Sequence, residues 1–426
     1  MFDVALFSQV DPGATEAELI ARIEELERLK SAAAAGQARA AAALDAARRA
    51  AESAAAVPAV KRGRGVASEV ALARRDSPAR GGRHLGFAKA LVYEMPHTLA
   101  ALEHGVLSEW RATLIVRESA CLDLEDRRAL DRELCADLSG LQGLGDKRII
   151  AAAKQIAYRR DARAVVDRAT KAAQDRTVTI RPAPDTMTWV SILLPVAQGV
   201  GVYAALRRAA DTTVDDRSRG QVMADTAFER ITATPATTPA PIALNVVISD
   251  RALLGHTEDA ALLQGYGPIP AEVARTWLTA ALADQKSLAT LRRLYASPTT
   301  GALVAMESRS RAFPRGLAEF INLRDQTCRT PYCDAPIRHR DHIQPVKHGG
   351  PTTAHNGEGL CERCNYIKET PGWTVTAHTH NGTHTTDYET PTHTRYRSAA
   401  PPIYSIINIS HVEDAIGVEL IDFHAA

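Results

Sequence analysis

A chain of 426 residues is long enough for two or three domains, and its 45% hydrophobic and 24% charged residues suit a soluble protein with a sizeable core. That balance excludes a chain too polar to bury one. The formal net charge of +1 neither requires nor rules out a nucleic-acid partner, so charge has to be judged locally.

The N-terminus, MFDVALFSQVDPG, has no basic run and no long apolar stretch, so it does not read as a secretory signal, and a cytoplasmic location is expected. Residues 14–56 are rich in Ala, Glu and Arg, with Leu19, Ile23, Leu26 and Leu29 on one helical stripe. This predicts a long amphipathic helix, a coiled-coil arm through which the chain could self-associate, although the stripe thins beyond Ala33. VPAVKRGRG then reads as a linker whose basic residues suit a solvated turn.

From Val66 to about Asp175 the pattern is almost wholly helical, with Ser77-Pro78 as a helix start and helices expected near 84–94, 96–104, 108–121, 124–138 and 146–173. The last is the most basic: Gly145 to Arg181 holds ten Lys or Arg against four Asp or Glu. It could lie on a phosphate backbone or present a solvated face. The period then changes. TVTIRP and MTWVSILLP predict two strands, IALNVVIS a third and GALVAME a fourth, with helices over 197–211, 218–233 and 270–284. TATPATTPAP, Thr232 to Pro241, reads as a hinge. Thr186 to Leu206 carries no charge, but Pro195, Gln198, Gly199 and Gly201 interrupt it, so it reads as a buried strand running into a helix rather than a membrane span. No residue set in this middle region assembles a catalytic constellation.

Of six cysteines, Cys121 and Cys135 sit alone in helical sequence as core residues. The other four read Cys328-x4-Cys333 and Cys361-x2-Cys364, two pairs able to converge on zinc. Four thiolates saturate a tetrahedral zinc ion, so the site would be structural. Any catalysis must come from residues that it holds in place: Asp341 and His342 between the pairs, Asn356 before the second, Asn365 and Lys368 after it.

DHIQP, GGPTTAHNGEGLC and CERCNYIKETPGW together resemble the HNH nuclease family, whose ββα-metal core is a hairpin followed by a helix. EHGVLSEWRATLIVRESACL, DRSRGQVMADTAFERI, GYGPIP and INLRDQTCRTPYCDAP extend the likeness over residues 66–400, to an actinobacterial family in which a helical domain of unknown function precedes such a nuclease. The resemblance implies a metal-dependent DNA endonuclease. Phosphodiester hydrolysis needs an activated water and charge neutralised on phosphoryl oxygens. A neutral His342 can take the proton near pH 7, and Asp341 with Asn365 offers hard oxygen ligands for Mg2+ or Mn2+. In the family pattern Asn356 braces the loop carrying the base, and the position of Asn365, often His elsewhere, is the second metal ligand. Lys368 lies three residues on, and a contact with substrate phosphate is expected of it. Neighbours on a strand face opposite ways, so Asp341 and His342 serve one centre only where the chain bends or the metal sits at the strand edge.

Bland readings stand beside these. The glycines after His348 more simply shape a turn. Arg338, His339 and Arg340 suit either phosphate or solvent. His378, His380, His384 and His393 flank Asn381-Gly382, the signature of a tight hairpin, and read as polar edge strands rather than ligands. Residues 309–375 carry ten Lys or Arg against seven Asp or Glu, weakly favourable for DNA.

The expected architecture is α+β: a helical arm and linker over 1–65, and a mainly helical domain with a small mixed sheet over 66–305. A zinc-stapled ββα-metal domain over 306–375 and a hairpin-like tail over 376–426 follow. Two other function classes remain open, a catalytically idle zinc-dependent module binding nucleic acid or protein, and an interaction scaffold with an accessory nuclease.

Overall fold

The computed structural model describes residues 5–213, 216–237, 246–248, 250–253, 255, 257–263, 266–283, 307–308, 313–380 and 382–402, and the chain divides into two compact units, 1–171 and 172–426.

The first unit is all helix. Its axis is α1 (Glu16–Ala54), started by a capping box in which the Thr15 hydroxyl accepts from the Glu18 backbone and the Glu18 carboxylate accepts from the Thr15 N–H. Against it pack α2 (Val66–Ala73), α3 (Gly81–Lys89), α4 (Pro96–Glu103) and α5 (Glu109–Glu118), and then come α6 (Leu124–Cys135), α7 (Asp146–Arg160) and α8 (Ala162–Ala172).

The arm expected over 1–65 is not separate. Ala34, Ala35, Ala38 and Ala41 of α1 pack against Val66, Val70, Leu91, Leu99 and Leu102 in one core cluster. A stripe too thin for a coiled coil is what close helix approach within one unit requires, because alanine lets backbones come near. The stripe thought able to pair, Leu19, Ile23 and Leu29, is exposed. A second cluster joins Met95, Leu107, Ile115, Leu130, Ile149 and Ile156. Buried Asp131 closes the start of α4, accepting from the His97 and Thr98 N–H groups at 2.8 and 2.7 Å. The single helix expected over 146–173 is two. Asp161 adopts an extended conformation, and its carboxylate caps α8 through the Ala164 N–H at 2.8 Å.

In the second unit β1 (Thr177–Pro182) and β2 (Thr188–Leu193) form an antiparallel hairpin, and α9 (Val196–Thr212) and α10 (Arg219–Thr232) follow. The strand running into a helix is present, but not its burial: every residue of both strands is exposed, because among the described residues nothing is packed over the hairpin's apolar side. A short sheet of β3 (Val246–Val247), β4 (Ala261–Leu263) and β5 (Gly267–Ile269) precedes α11 (Ala271–Ala283). The third expected strand is described only from Val246. The fourth, 301–307, lies outside the described residues except for Glu307, which pairs with Thr353. No described helix is long and apolar enough to cross a membrane.

The C-terminal region begins with α12 (Arg315–Asp325). Next come β6 (His339–His342), β7 (Gly357–Leu360) and α13 (Glu362–Lys368), the ββα order expected. The tail is larger than a hairpin: β8 (Thr374–His380), β9 (Thr383–Glu389) and β10 (Arg395–Ala399) make a three-stranded antiparallel sheet.

Candidate active site and metal centre

The four cysteines converge. Cys328, Cys333, Cys361 and Cys364 are all buried, and their sulfur atoms lie within 4.8 Å of one another. Cys333 Sγ is 3.9 Å from Cys361 Sγ and 3.7 Å from Cys364 Sγ. A tetrahedron with Zn–S bonds of about 2.3 Å has edges of about 3.8 Å, so both of these spacings match a tetrahedral zinc site. The first knuckle turns at Tyr332, in left-handed conformation, and is tied to β7 by Arg329 N–H donating to Gly359 O at 2.9 Å. Cys361 opens α13, its sulfur accepting from the Cys364 N–H. Hydrogen bonds from Cys328 draw Cys333 down to about 7 and Cys361 lower still. The bond to Cys333 pushes Cys328 up, and the one to Cys328 does the same to Cys364. Four thiols this close cannot all ionise unaided; a central cation removes that conflict.

The catalytic candidates stand on the β6–β7 ladder that this cluster pins. Its register pairs Asp341 with Glu358 and His342 with Gly357, so the two adjacent residues leave opposite faces, as strand alternation demands, and the chain bends just after His342. His342 is 9% exposed. Its Nε2 lies 2.9 Å from Thr352 Oγ1, and the Phe313 ring sits 4.5 Å away, centroid to centroid. Gly357 makes room for this: a Cβ there would come within 2.6 Å of Ile321 and 2.8 Å of Phe313.

Asn356 ties the loop after β6 shut. Its Oδ1 accepts from the Gln344 N–H at 2.8 Å, while Nδ2 donates to Gln344 O at 3.0 Å and Pro351 O at 2.8 Å. Gly350 allows the closure, since a Cβ there would lie 1.8 Å from Gln344 O. Asn365, on the first turn of α13, has a buried Oδ1 with no hydrogen-bond partner. An orphaned carbonyl oxygen beside a carboxylate-bearing strand is a donor set that suits a hard divalent cation.

Lys368 departs from expectation. Rather than reaching outward to a phosphate it is 7% exposed, with Nζ 2.9 Å from Asp341 Oδ2, 3.1 Å from Glu358 Oε1 and 2.6 Å from His342 O. Burial pushes its pKa down, but Glu358 and Asp341 outweigh burial and hold it above the usual lysine value. Fully buried Glu358 also accepts from Tyr388 Oη at 2.6 Å. Burial and the neighbouring Glu358 push the Tyr388 phenol well up, so it stays a neutral donor.

Sequence reasoning missed Thr352, Phe313, Glu358 and Tyr388. A carboxylate among apolar strand residues in GEGLC was the one available signal. It also missed the buried Arg324–Asp325 pair, 2.7 Å apart, whose carboxylate receives the Gly359 N–H and whose guanidinium donates to Gly357 O. Of the flanking residues, Arg338 and Arg340 are exposed, with Arg340 donating to Asn322, and His348 is exposed. His378, His380 and His393 are also exposed, whereas His384 is buried, its Nε2 on His355 O at 2.8 Å.

A closed four-thiol cluster stapling a ββα unit, with His and Asp on the first strand and Asn on the helix, defines an HNH-type nuclease domain. Residues 328–370 match the HNH endonuclease family, and residues 23–325 match a domain of unknown function, DUF222. The chain therefore belongs to the DUF222 family and carries a C-terminal HNH domain. No curated protein matches it, and neither does any solved structure.

Proposed function

We propose that the protein is a metal-dependent DNA endonuclease with one structural zinc ion per chain and a separate catalytic Mg2+ or Mn2+, acting in the cytoplasm, where reduced thiolates persist. The observation that carries the reading is one ββα framework with Asp341 and His342 on its first strand, Asn356 closing the loop after that strand and Asn365 on its helix, built on a four-thiol cluster. A catalytically idle binding module would not be expected to keep all four.

The hydrogen bond between His342 Nε2 and Thr352 Oγ1 fixes the ring, and the imidazole acts as general base toward water. Phe313 limits rotation of the ring. Asp341 and Asn365 would hold the divalent cation, which supplies charge neutralisation at the phosphoryl oxygens. Asn356 keeps the loop after His342 closed, and Lys368 positions Asp341 and the His342 carbonyl.

The test is incubation of the purified, zinc-loaded chain with supercoiled plasmid. Cleavage products are expected with Mg2+ or Mn2+ and none with chelator. A chain that holds zinc and binds DNA yet leaves plasmid intact with both metals would support the idle-module reading instead.

A further inference from the structure

Asp341 and Glu358 face each other across the β6–β7 ladder, and like charges directly opposite on a sheet repel. Lys368 resolves this by placing one ammonium against both carboxylates, 2.9 Å from one and 3.1 Å from the other. The triad of two carboxylates and one ammonium keeps one net negative charge. Arg324 and Arg329 do not cancel it, because both pair with Asp325, and Arg329 otherwise donates to the carbonyls of His384 and Ser398. Glu358 cannot turn away from the lysine, since its other oxygen is held by Tyr388, from the sheet that follows the HNH segment.

We propose that Glu358 sets the charge of the cation site: by drawing Lys368 from Asp341, it keeps the Asp341 carboxylate incompletely neutralised and able to bind a divalent cation. Tyr388 is the positioning residue that fixes Glu358, so the C-terminal sheet belongs to the site. This rests on the reading of Asp341 as a metal ligand. Without the second carboxylate the ammonium would neutralise Asp341 fully, and a cation would have to displace it. Without the ammonium two carboxylates would face the cation, and attraction would rise.

Calorimetric titration of Mn2+ into the zinc-loaded full chain, without DNA, tests this. Glu358→Gln is expected to weaken Mn2+ binding at least tenfold, with zinc content and circular dichroism unchanged. Lys368→Gln is expected to act in the opposite direction, binding Mn2+ more tightly than wild type. General damage to the domain cannot produce opposite signs, and should Glu358→Gln fail to retain zinc, the sign for Lys368→Gln still decides. Mn2+ binding as tight in Glu358→Gln as in wild type, or weaker in Lys368→Gln, would overturn the proposal and leave the nuclease reading standing. A wild-type chain that keeps its zinc and binds no Mn2+ would overturn both.

Discussion

At the scale of single residues, the geometry around His342 concerns orientation more than burial. A histidine poised as a base needs one nitrogen fixed so that the other presents its lone pair, and Thr352 Oγ1 at 2.9 Å provides the anchor. Thr352→Val keeps the shape of the β-branched side chain and removes only that hydrogen bond. A typical net hydrogen bond of about 1–1.5 kcal/mol corresponds to roughly tenfold in rate. The variant is expected to lose about that factor in single-turnover cleavage, with DNA affinity and zinc content unchanged; an unaltered rate would show that the hydroxyl does not orient the base. The candidates themselves were legible as residue types at motif spacing. Their partners were not, because Thr352 and Tyr388 act through contacts 10 and 30 residues away in sequence, which no local pattern encodes.

At the scale of elements, periodicity located the helices of the first unit well, since these follow from local spacing of apolar residues and caps, whereas the ββα order was legible only through the motif resemblance. Periodicity failed where packing decides. The alanines of α1 looked like a weak arm and instead line a core. The tail histidines looked equivalent, yet β9 buries His384 while His378, His380 and His393 stay exposed. Burial and the Arg324 charge depress the His384 pKa from 6.5 to about 4. The unfolded chain therefore takes up this proton below about pH 6.5, while the folded chain resists it until about pH 4. The stability that His384 contributes is full above pH 6.5 and disappears as pH falls toward 4, to a total of about 3 kcal/mol at most. In thermal melts at pH 7 and pH 5, His384→Gln should lose less stability on acidification than wild type. Equal losses would mean that the imidazole is not held neutral.

At the scale of the molecule, the two units have different sources of stability. Residues 1–171 carry extended apolar clusters, whereas the HNH region combines a small cluster around Leu317, Ile321 and Ala354 with the four cysteines. A domain with so little apolar core depends on its metal, because binding the ion and folding the ligand loops are one event. Cys361→Ser removes a zinc ligand, while a serine hydroxyl can still cap α13. Elemental analysis is expected to show no zinc in that variant, and limited proteolysis to degrade the region after about residue 306 while the helical unit survives. Folded, active protein without zinc would refute the structural role.

Base-assisted hydrolysis at this HNH site is open to a decisive measurement, single-turnover plasmid cleavage with His342→Ala. The base acts on water in the transition state and makes no essential ground-state contact with DNA, so the loss should fall on the chemical step, by roughly a hundred- to ten-thousand-fold. DNA affinity and zinc content should match wild type. Cleavage at the wild-type rate would contradict the assignment, and loss of zinc from the variant would make His342 a structural residue.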